Sequence, residues 1–308
     1  MNCFKVNKMH NRVRPTFVML TGIPGSGKST YADFIKNQHN VYLSSDAIRK
    51  ELFGNESCQE EHHKVFGLMQ ERTLEALKNG YDVIYDATNV TRKDRHRILS
   101  CLPAYVYKKC IIVWAPIEYC IERDAARERT VGLDVIKKVL KRFEAPFYDE
   151  GFDEIEVAYP RGFSSNIYYD GCIRALEIPH DNPHHTADVA EHCKLCGGNL
   201  VNLDVPDVLK FAGYIHDIGK PFTKTFVNTK GEITDVAHYY GHQAVGAWIS
   251  YGISHEFVGA DSILLAWLVS THMAPMINQK YYNSLDPLYK NWIDILHNIK
   301  QIWRHINK

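Results

Sequence analysis

A parallel α/β sheet with helices on both faces, followed by a mostly helical second half, is the architecture that this sequence predicts. Three observations predict it. Residues 22–30 read Gly-Ile-Pro-Gly-Ser-Gly-Lys-Ser-Thr between an apolar run and a helical stretch. The first half then alternates short apolar runs with helical patterns, which implies strands laid parallel through helical crossovers. Beyond residues 158–172, where Tyr159, Pro160, Gly162, Tyr168, Tyr169 and Gly171 break the periodic pattern, mostly helical periodicity remains. The boundary placed there divides the 308 residues into 1–160 and 161–308, two domains of ordinary size.

Taken in order, strands are expected at 16–21, 41–44, 83–86 and 110–113, each short, apolar and followed by polar or glycine-rich turns. Helices are expected over 29–38 and over 60–79, the latter stopped by Gly80. In the second half helices are expected at 187–196, 206–215, 242–251, 261–272 and 287–306. A hairpin over 225–228 and 232–237 should turn at Lys230 and Gly231. In a sheet of this kind, ligands bind beyond the carboxyl ends of the strands.

Composition narrows the class. Hydrophobic content of 45% supports proper cores, and no apolar run approaches the length of a membrane span. The basic N-terminal residues lack the apolar core of a signal peptide. The eight cysteines, irregularly spaced, fit free thiols in a reducing cytoplasm. Cys193 and Cys196 form a C-x-x-C with no second pair at zinc-ribbon spacing, and read as helix-packing residues. Net charge is zero, yet residues 92–142 carry 13 Lys/Arg against 6 Asp/Glu. Such a basic tract suits a polyanionic substrate.

The chemistry of the first half starts at the phosphate-binding loop. Backbone N–H groups freed by Gly22, Gly25 and Gly27 can wrap a triphosphate, with Ser26 and Thr30 in the same cradle. Lys28 reaches β- and γ-phosphates, and the Ser29 hydroxyl joins a Mg²⁺ shell, so ATP or GTP is the expected nucleotide. Asp46 and Arg49, three apart, share one side of a first helical turn. Asp86 ends the third strand, where it can hold Mg²⁺ or polar substrate groups. Arg123, Arg127 and Arg129 are expected on a polar helix before Gly132, as a lid able to close over the γ-phosphate.

Together the loop 22–30, Asp46-x-x-Arg49, Asp86-x-Thr88-Asn89 and Arg123-x-x-x-Arg127 resemble the 5′-hydroxyl polynucleotide kinases of the phage and bacterial repair type, over roughly residues 14–150. That resemblance implies a P-loop kinase domain using ATP and Mg²⁺ at Lys28 and Ser29. It implies Asp46 as general base on the 5′-hydroxyl and Arg49 on the acceptor or scissile phosphate. Asp86 would be an essential acid near the acceptor, and Arg127 would stabilise the γ-phosphate with Arg123 beside it.

The second half concentrates histidine: 11 of 16 lie after residue 160. His216 and Asp217 are adjacent at the end of an apolar helix, with His192, His238, His242 and His272 at distances suited to converging helices. Such a mixed set fits a divalent transition metal. These residues, with the stretch 184–192 and Tyr240-Gly241-His242, resemble the HD phosphohydrolase superfamily. The resemblance implies an HD domain with His192, His216, Asp217, His242 and His272 as metal ligands, for Mn²⁺, Ni²⁺ or Co²⁺. His185 competes with His192 for the first position, and His192 is favoured by its Asp-Val-x-x-His spacing. Lys220 would meet a substrate phosphate. The family closes its site with a late aspartate that this chain lacks; Asp286 and Asp294 are the available substitutes.

The expectation is a cytoplasmic end-healing enzyme. Its kinase would phosphorylate 5′-hydroxyl ends of RNA or DNA, and its phosphohydrolase would clear 3′-phosphate or 2′,3′-cyclic phosphate ends. Ligation would fall to a separate ligase. The alternative is a small-molecule or nucleoside kinase fused to an HD nucleotidase.

Overall fold

The computed structural model describes residues 14–56, 61–183, 187–255 and 261–306, with side chains to residue 298. The first half runs β1 (Thr16–Thr21), α1 (Lys28–Ile35), β2 (Asn40–Ser44), α2 (Ser45–Phe53), α3 (His62–Lys78), β3 (Asp82–Asp86), α4 (Arg92–Leu99), β4 (Tyr107–Val113), α5 (Ile117–Ala125), α6 (Leu133–Leu140) and β5 (Glu154–Ala158). The strands form one five-stranded sheet in the order β2-β3-β1-β4-β5, all parallel. Alternation along each strand sends side chains to opposite faces. Phe17, Met19, Val83, Tyr85, Cys110 and Ile112 join the main core, while Leu20, Ile84, Ile111 and Val113 pack with Ala32 of α1 on the other face. Helices therefore cover both faces, as the sequence predicts.

Several boundaries differ from the sequence reading. The first helix stops at Ile35 rather than residue 38, because Lys36 turns extended and the Asn40 side-chain amide donates to the Ile35 carbonyl at 3.1 Å. β4 begins at Tyr107 rather than Cys110: Lys109 looks like loop but pairs its ammonium with Glu154 and Glu156 at 3.1 and 2.8 Å. Those glutamates belong to β5, an edge strand whose alternating charges hid it. Charged edge strands of this kind resist pairing with another chain.

The second half runs α7 (Ser165–Ala175), α8 (Val189–Val201), α9 (Asp207–Ile215), β6 (Thr225–Val227), β7 (Ile233–His238), α10 (His242–Ser254), α11 (Ser262–Thr271), the short α12 (Ala274–Ile277) and α13 (Gln279–Ser284), and α14 (Pro287–Ile306). The hairpin β6–β7 turns at Gly231, whose φ of 85° suits glycine. Tyr168, Tyr169 and Gly171 lie inside α7 rather than in a break. α10 packs on α11 and α7, α8 on α9, and α14 across α8 and α9. Among the described residues no helix is long and apolar enough to cross a membrane.

The two halves share one apolar core, from Phe17 to Leu296. Two tryptophans each donate a hydrogen bond across the halves: Trp114 Nε1 to the Trp248 carbonyl at 2.7 Å, and Trp248 Nε1 to the Ala115 carbonyl at 3.0 Å. Tyr159, Phe163 and Tyr168 meet the Trp114 ring edge-on, at centroid distances of 4.8–5.6 Å. Gly252 is required at this seam: a Cβ there would lie 2.3 Å from the Trp114 ring.

Candidate functional site

The phosphate-binding loop leaves β1 at Thr21 and enters α1 at Lys28. Gly25, at φ 81°, passes so close to α5 that a Cβ would fall 2.1 Å from the Cys120 carbonyl oxygen. The loop thus needs glycine for its turn and its closeness alike. Lys28 folds back over it, donating from Nζ to the Gly22 and Ile23 carbonyls at 2.8 and 3.1 Å. Burial lowers the pKa of this ammonium, opposed by the nearby Asp86 carboxylate. Both carbonyl bonds are ones that an arriving phosphate oxygen would compete for.

Asp86 stands at the carboxyl end of β3, 5% exposed. Its Oδ2 accepts from Ser29 Oγ at 3.3 Å and from the Tyr42 hydroxyl at 2.7 Å. Burial and the Asp86 bond both push the Tyr42 hydroxyl pKa up, so Tyr42 stays a donor. One strand away, Ser44 caps α2 by accepting from the Ala47 amide, which projects Asp46 into solvent at the same edge. Arg49 is buried and bonds Asp46 Oδ1 at 2.8 Å, so the pair does sit on one side of the first turn. Serine, tyrosine and two carboxylates thus gather where ligands of parallel sheets bind.

The arginines depart from expectation. Only Arg123 is helical; α5 ends at Ala125, and Arg127 and Arg129 follow in the loop. The cause is Asp124, a buried carboxylate that accepts from the Val131 and Gly132 amides at 2.9–3.1 Å and draws the chain back. Arg123 still reaches the loop, donating to the Ser26 carbonyl at 3.3 Å. Arg127 is exposed and close enough to Lys28 to lower its pKa. Arg129 pairs with Glu56 beyond α2. The basic tract is also less free than its count suggests: Arg95 is fully buried on Glu150, and Arg92 pairs with Asp149.

In the second half, four helix ends converge on one carboxylate. Asp188 caps α8 by accepting from the Glu191 amide, which sets His192 in the next turn. His216 and Asp217 follow α9, His242 opens α10, and His272 follows α11. Asp217, 2% exposed, has Oδ2 3.1 Å from His216 Nε2 and 3.4 Å from His192 Nε2. Its Oδ1 lies 3.3 Å from His242 Nε2 and 3.7 Å from His272 Nε2. Two trios of possible metal ligands result: His192, Cys196 and His216, then Asp217, His242 and His272, each with ligand atoms within 4.8 Å.

His216, His242 and His272 each place Nδ1 at 2.7–2.9 Å from a backbone carbonyl, of Gly213, Tyr239 and Val269. A carbonyl only accepts, so Nδ1 carries the hydrogen and, in the neutral ring, Nε2 keeps a lone pair. His242 Nε2 and His272 Nε2 then face each other at 3.2 Å, with a carboxylate oxygen beside them. Lone pairs so arranged repel unless a cation lies among them. The donor set therefore fits a divalent metal, and the carbonyl bonds supply the outer support that such ligands need.

Lys220 Nζ bonds Asp217 Oδ2 at 2.9 Å and faces His180 Nε2 at 3.1 Å. Burial, then the Lys220 charge, lowers the His180 pKa to about 4, so His180 is neutral and accepts from the ammonium. His238 lies apart, facing Thr234 Oγ1 and stacked on Tyr240. Asp294 accepts from the Tyr282 hydroxyl and Asp286 from the Leu288 amide, so both are engaged outside the cluster. Among the described residues, the two trios contain one carboxylate, that of Asp217. His184 and His185 lie outside the described residues. Sequence reasoning passed over Tyr42 and His180, and read Cys196 as a helix-packing residue. For Cys196 a signal existed: it stands four residues after His192, one helical turn on.

Residues 17–147 match the family described as an AAA domain. The L-seryl-tRNA(Sec) kinase of Methanococcus maripaludis is 28% identical over 143 residues, 42% of this chain and 52% of that protein. Transcription factor bHLH140 of Arabidopsis thaliana is 24% identical over 160 residues, 48% of this chain but 16% of that protein. This chain thus spans about half, or much less, of the curated relatives it matches. A solved structure described as the Pnkp1/Rnl/Hen1 RNA repair complex is similar at 23% identity and a TM-score of 0.39, over 44% of this chain and 46% of that one. These similarities cover less than half of the 308 residues. Within that span, the parallel sheet, the loop and the family match agree: residues 17–147 form an α/β P-loop domain.

Proposed function

We propose that this protein heals broken nucleic-acid ends. An ATP-dependent 5′-hydroxyl polynucleotide kinase, residues 1–160, is joined to a metal-dependent HD phosphohydrolase, residues 161–308, acting on 3′-phosphate or 2′,3′-cyclic phosphate. The observation that carries the kinase half is the meeting of Ser29, Tyr42 and Asp86 at the sheet edge, with exposed Asp46 steadied by Arg49. Asp46 would take the proton from an acceptor hydroxyl, and Arg49 would meet the acceptor's phosphate. Lys28 follows charge on the β- and γ-phosphates, with Arg123 and Arg127 above the loop. Ser29 and Asp86 would hold Mg²⁺, which when bound supplies neutralising charge at the β- and γ-oxygens. A relative named as a kinase of seryl-tRNA favours an RNA-borne hydroxyl as acceptor.

For the second half, the facing Nε2 lone pairs around Asp217 support a metal centre of His192, His216, Asp217, His242 and His272. A transition ion such as Mn²⁺, Ni²⁺ or Co²⁺, when bound, supplies a water of lowered pKa and a polarised phosphoryl oxygen. Lys220, held between Asp217 and His180, would meet the substrate phosphate. Both products, a 5′-phosphate and a 3′-hydroxyl, are what a separate ligase joins.

The test incubates the chain with labelled ATP and a panel of 5′-hydroxyl RNA, 5′-hydroxyl DNA and nucleosides. A parallel assay follows phosphate release from 3′-phosphate and cyclic-phosphate ends with each metal. Label transferred to oligonucleotides supports the kinase assignment. Transfer to nucleosides alone would replace it with a nucleoside kinase fused to an HD nucleotidase. No phosphate release with any metal would remove the hydrolase.

A further inference from the structure

We propose that Cys196 is itself a metal ligand: its thiolate, with His192, His216 and Asp217 Oδ2, forms a mixed sulfur, nitrogen and oxygen position for a borderline-soft divalent ion of the zinc or cobalt kind. The proposal rests on the reading of this cluster as a metal centre, and concerns a donor outside the His/Asp set named for it.

The first argument is distance. Ligand atoms about 2.0–2.3 Å from a tetrahedral ion stand roughly 3.3–3.6 Å from one another. Four of the six separations of such a set are close to that size: His192 Nε2 to His216 Nε2 3.3 Å, His216 Nε2 to Asp217 Oδ2 3.1 Å, His192 Nε2 to Asp217 Oδ2 3.4 Å and Cys196 Sγ to His192 Nε2 3.8 Å, with the Cys196 and His216 ligand atoms within 4.8 Å of each other. The longest edge belongs to sulfur, whose bond to the metal is the longest. The second is local structure. Within α8, Cys196 follows His192 by four residues, so its side chain stacks over the same face. Cys193, one residue after His192, is buried as well but belongs to neither trio of candidate ligands.

The third argument is charge. The cluster holds a single carboxylate, already in contact with the Lys220 ammonium. A divalent ion added to this buried set needs a second negative ligand, since uncompensated buried charge is costly. Within these trios the Cys196 thiol is the group that can supply it. On binding, the S–metal bond forms as the S–H bond breaks, and the proton leaves to solvent. Soft thiolate selects zinc and its neighbours over magnesium or calcium.

Cobalt(II) reads the ligand directly. The full-length chain, stripped with chelator and reloaded with Co²⁺, should show visible d–d bands together with a near-ultraviolet thiolate-to-cobalt charge-transfer band. Cys196→Ser should keep the d–d bands and lose the charge-transfer band, and Cys193→Ser should keep both. Cobalt d–d bands without charge transfer in the unmodified chain would overturn the thiolate ligand while leaving the metal centre standing. A charge-transfer band persisting in Cys196→Ser would overturn it as well. Failure of the chain to bind cobalt would sink the metal centre and this inference together.

Discussion

Replacing Asp217 by Asn isolates the buried charge at the centre of the histidine cluster. In the metal-free chain the carboxylate's partner of opposite sign is Lys220, at 2.9 Å, with side chains 3% and 9% exposed. His180 cannot substitute, because it is neutral and offers only a lone pair. Removing one member of a buried pair strands the other, which costs about 3–5 kcal/mol. That is a large share of a stability of roughly 5–15 kcal/mol, yet it leaves the chain folded at room temperature in most of that range. Urea unfolding of metal-free Asp217→Asn should therefore shift by about that amount. Adding Lys220→Met should recover a good part of it, since no charge is then left unpaired. In the same protein phosphate release should stop, while transfer from ATP continues, because the phosphate-binding loop and the histidine cluster are built on separate elements. A loss below about 1 kcal/mol, or a double variant weaker than the sum of its singles, would refute the claim that Lys220 depends on this carboxylate.

Other outcomes follow from the same geometry. Lys28→Ala and Asp46→Asn should both abolish transfer to a 5′-hydroxyl, with Asp46→Asn still binding ATP and losing about 10²–10⁴ in rate; near wild-type turnover would identify a different base. Arg127→Ala should lower kcat more than it raises the KM for ATP, and oligonucleotide affinity should fall with salt as counterions are released; a salt-insensitive affinity would indicate a small neutral acceptor. His180, lowered from 6.5 to about 4, is neutral when folded and takes a proton when unfolded, so its contribution is whole above pH 6.5 and is lost as pH falls through about 4. Across that window the loss is roughly 3 kcal/mol, and His180→Gln should flatten the acid limb of a stability-against-pH curve; an unchanged slope would assign that limb to other groups.

Local signals read well from the sequence. The loop 22–30 carries its own geometry, and Asp86 could be set at a strand's end because apolar runs stop where a parallel sheet's carboxyl edge begins. His216 and Asp217 were placed at the end of α9 for the same reason, and the structure brings His192, His242 and His272 to them. What stayed hidden depends on distant partners. Lys109 and the β5 glutamates look like surface until they pair across strands. Arg127 leaves its helix through Asp124, whose amide donors lie seven and eight residues on. His180 gains its role from Lys220, 40 residues away. Cys196 was visible in its spacing but was outweighed by the familiar packing role of buried cysteine.

The two tryptophan hydrogen bonds across the seam, Trp114 to Trp248 and Trp248 to Ala115, tie the fates of the phosphate-binding loop and the histidine cluster. An apolar interior continuous from Phe17 to Leu296 cannot be cut at residue 160 without laying bare Trp114 and Phe143, which pack edge-on and side by side against Trp248. A truncated first half would expose an adhesive face, and its solubility would say little about the loop that it carries. The intact chain offers the opposite opportunity. Nucleotide held at the loop stabilises the whole cooperative unit by RT ln(1 + [L]/Kd), so occupancy at one end is readable as resistance to melting around the histidines at the other. The seam is thus a thermodynamic conduit, through which loading one centre protects the other.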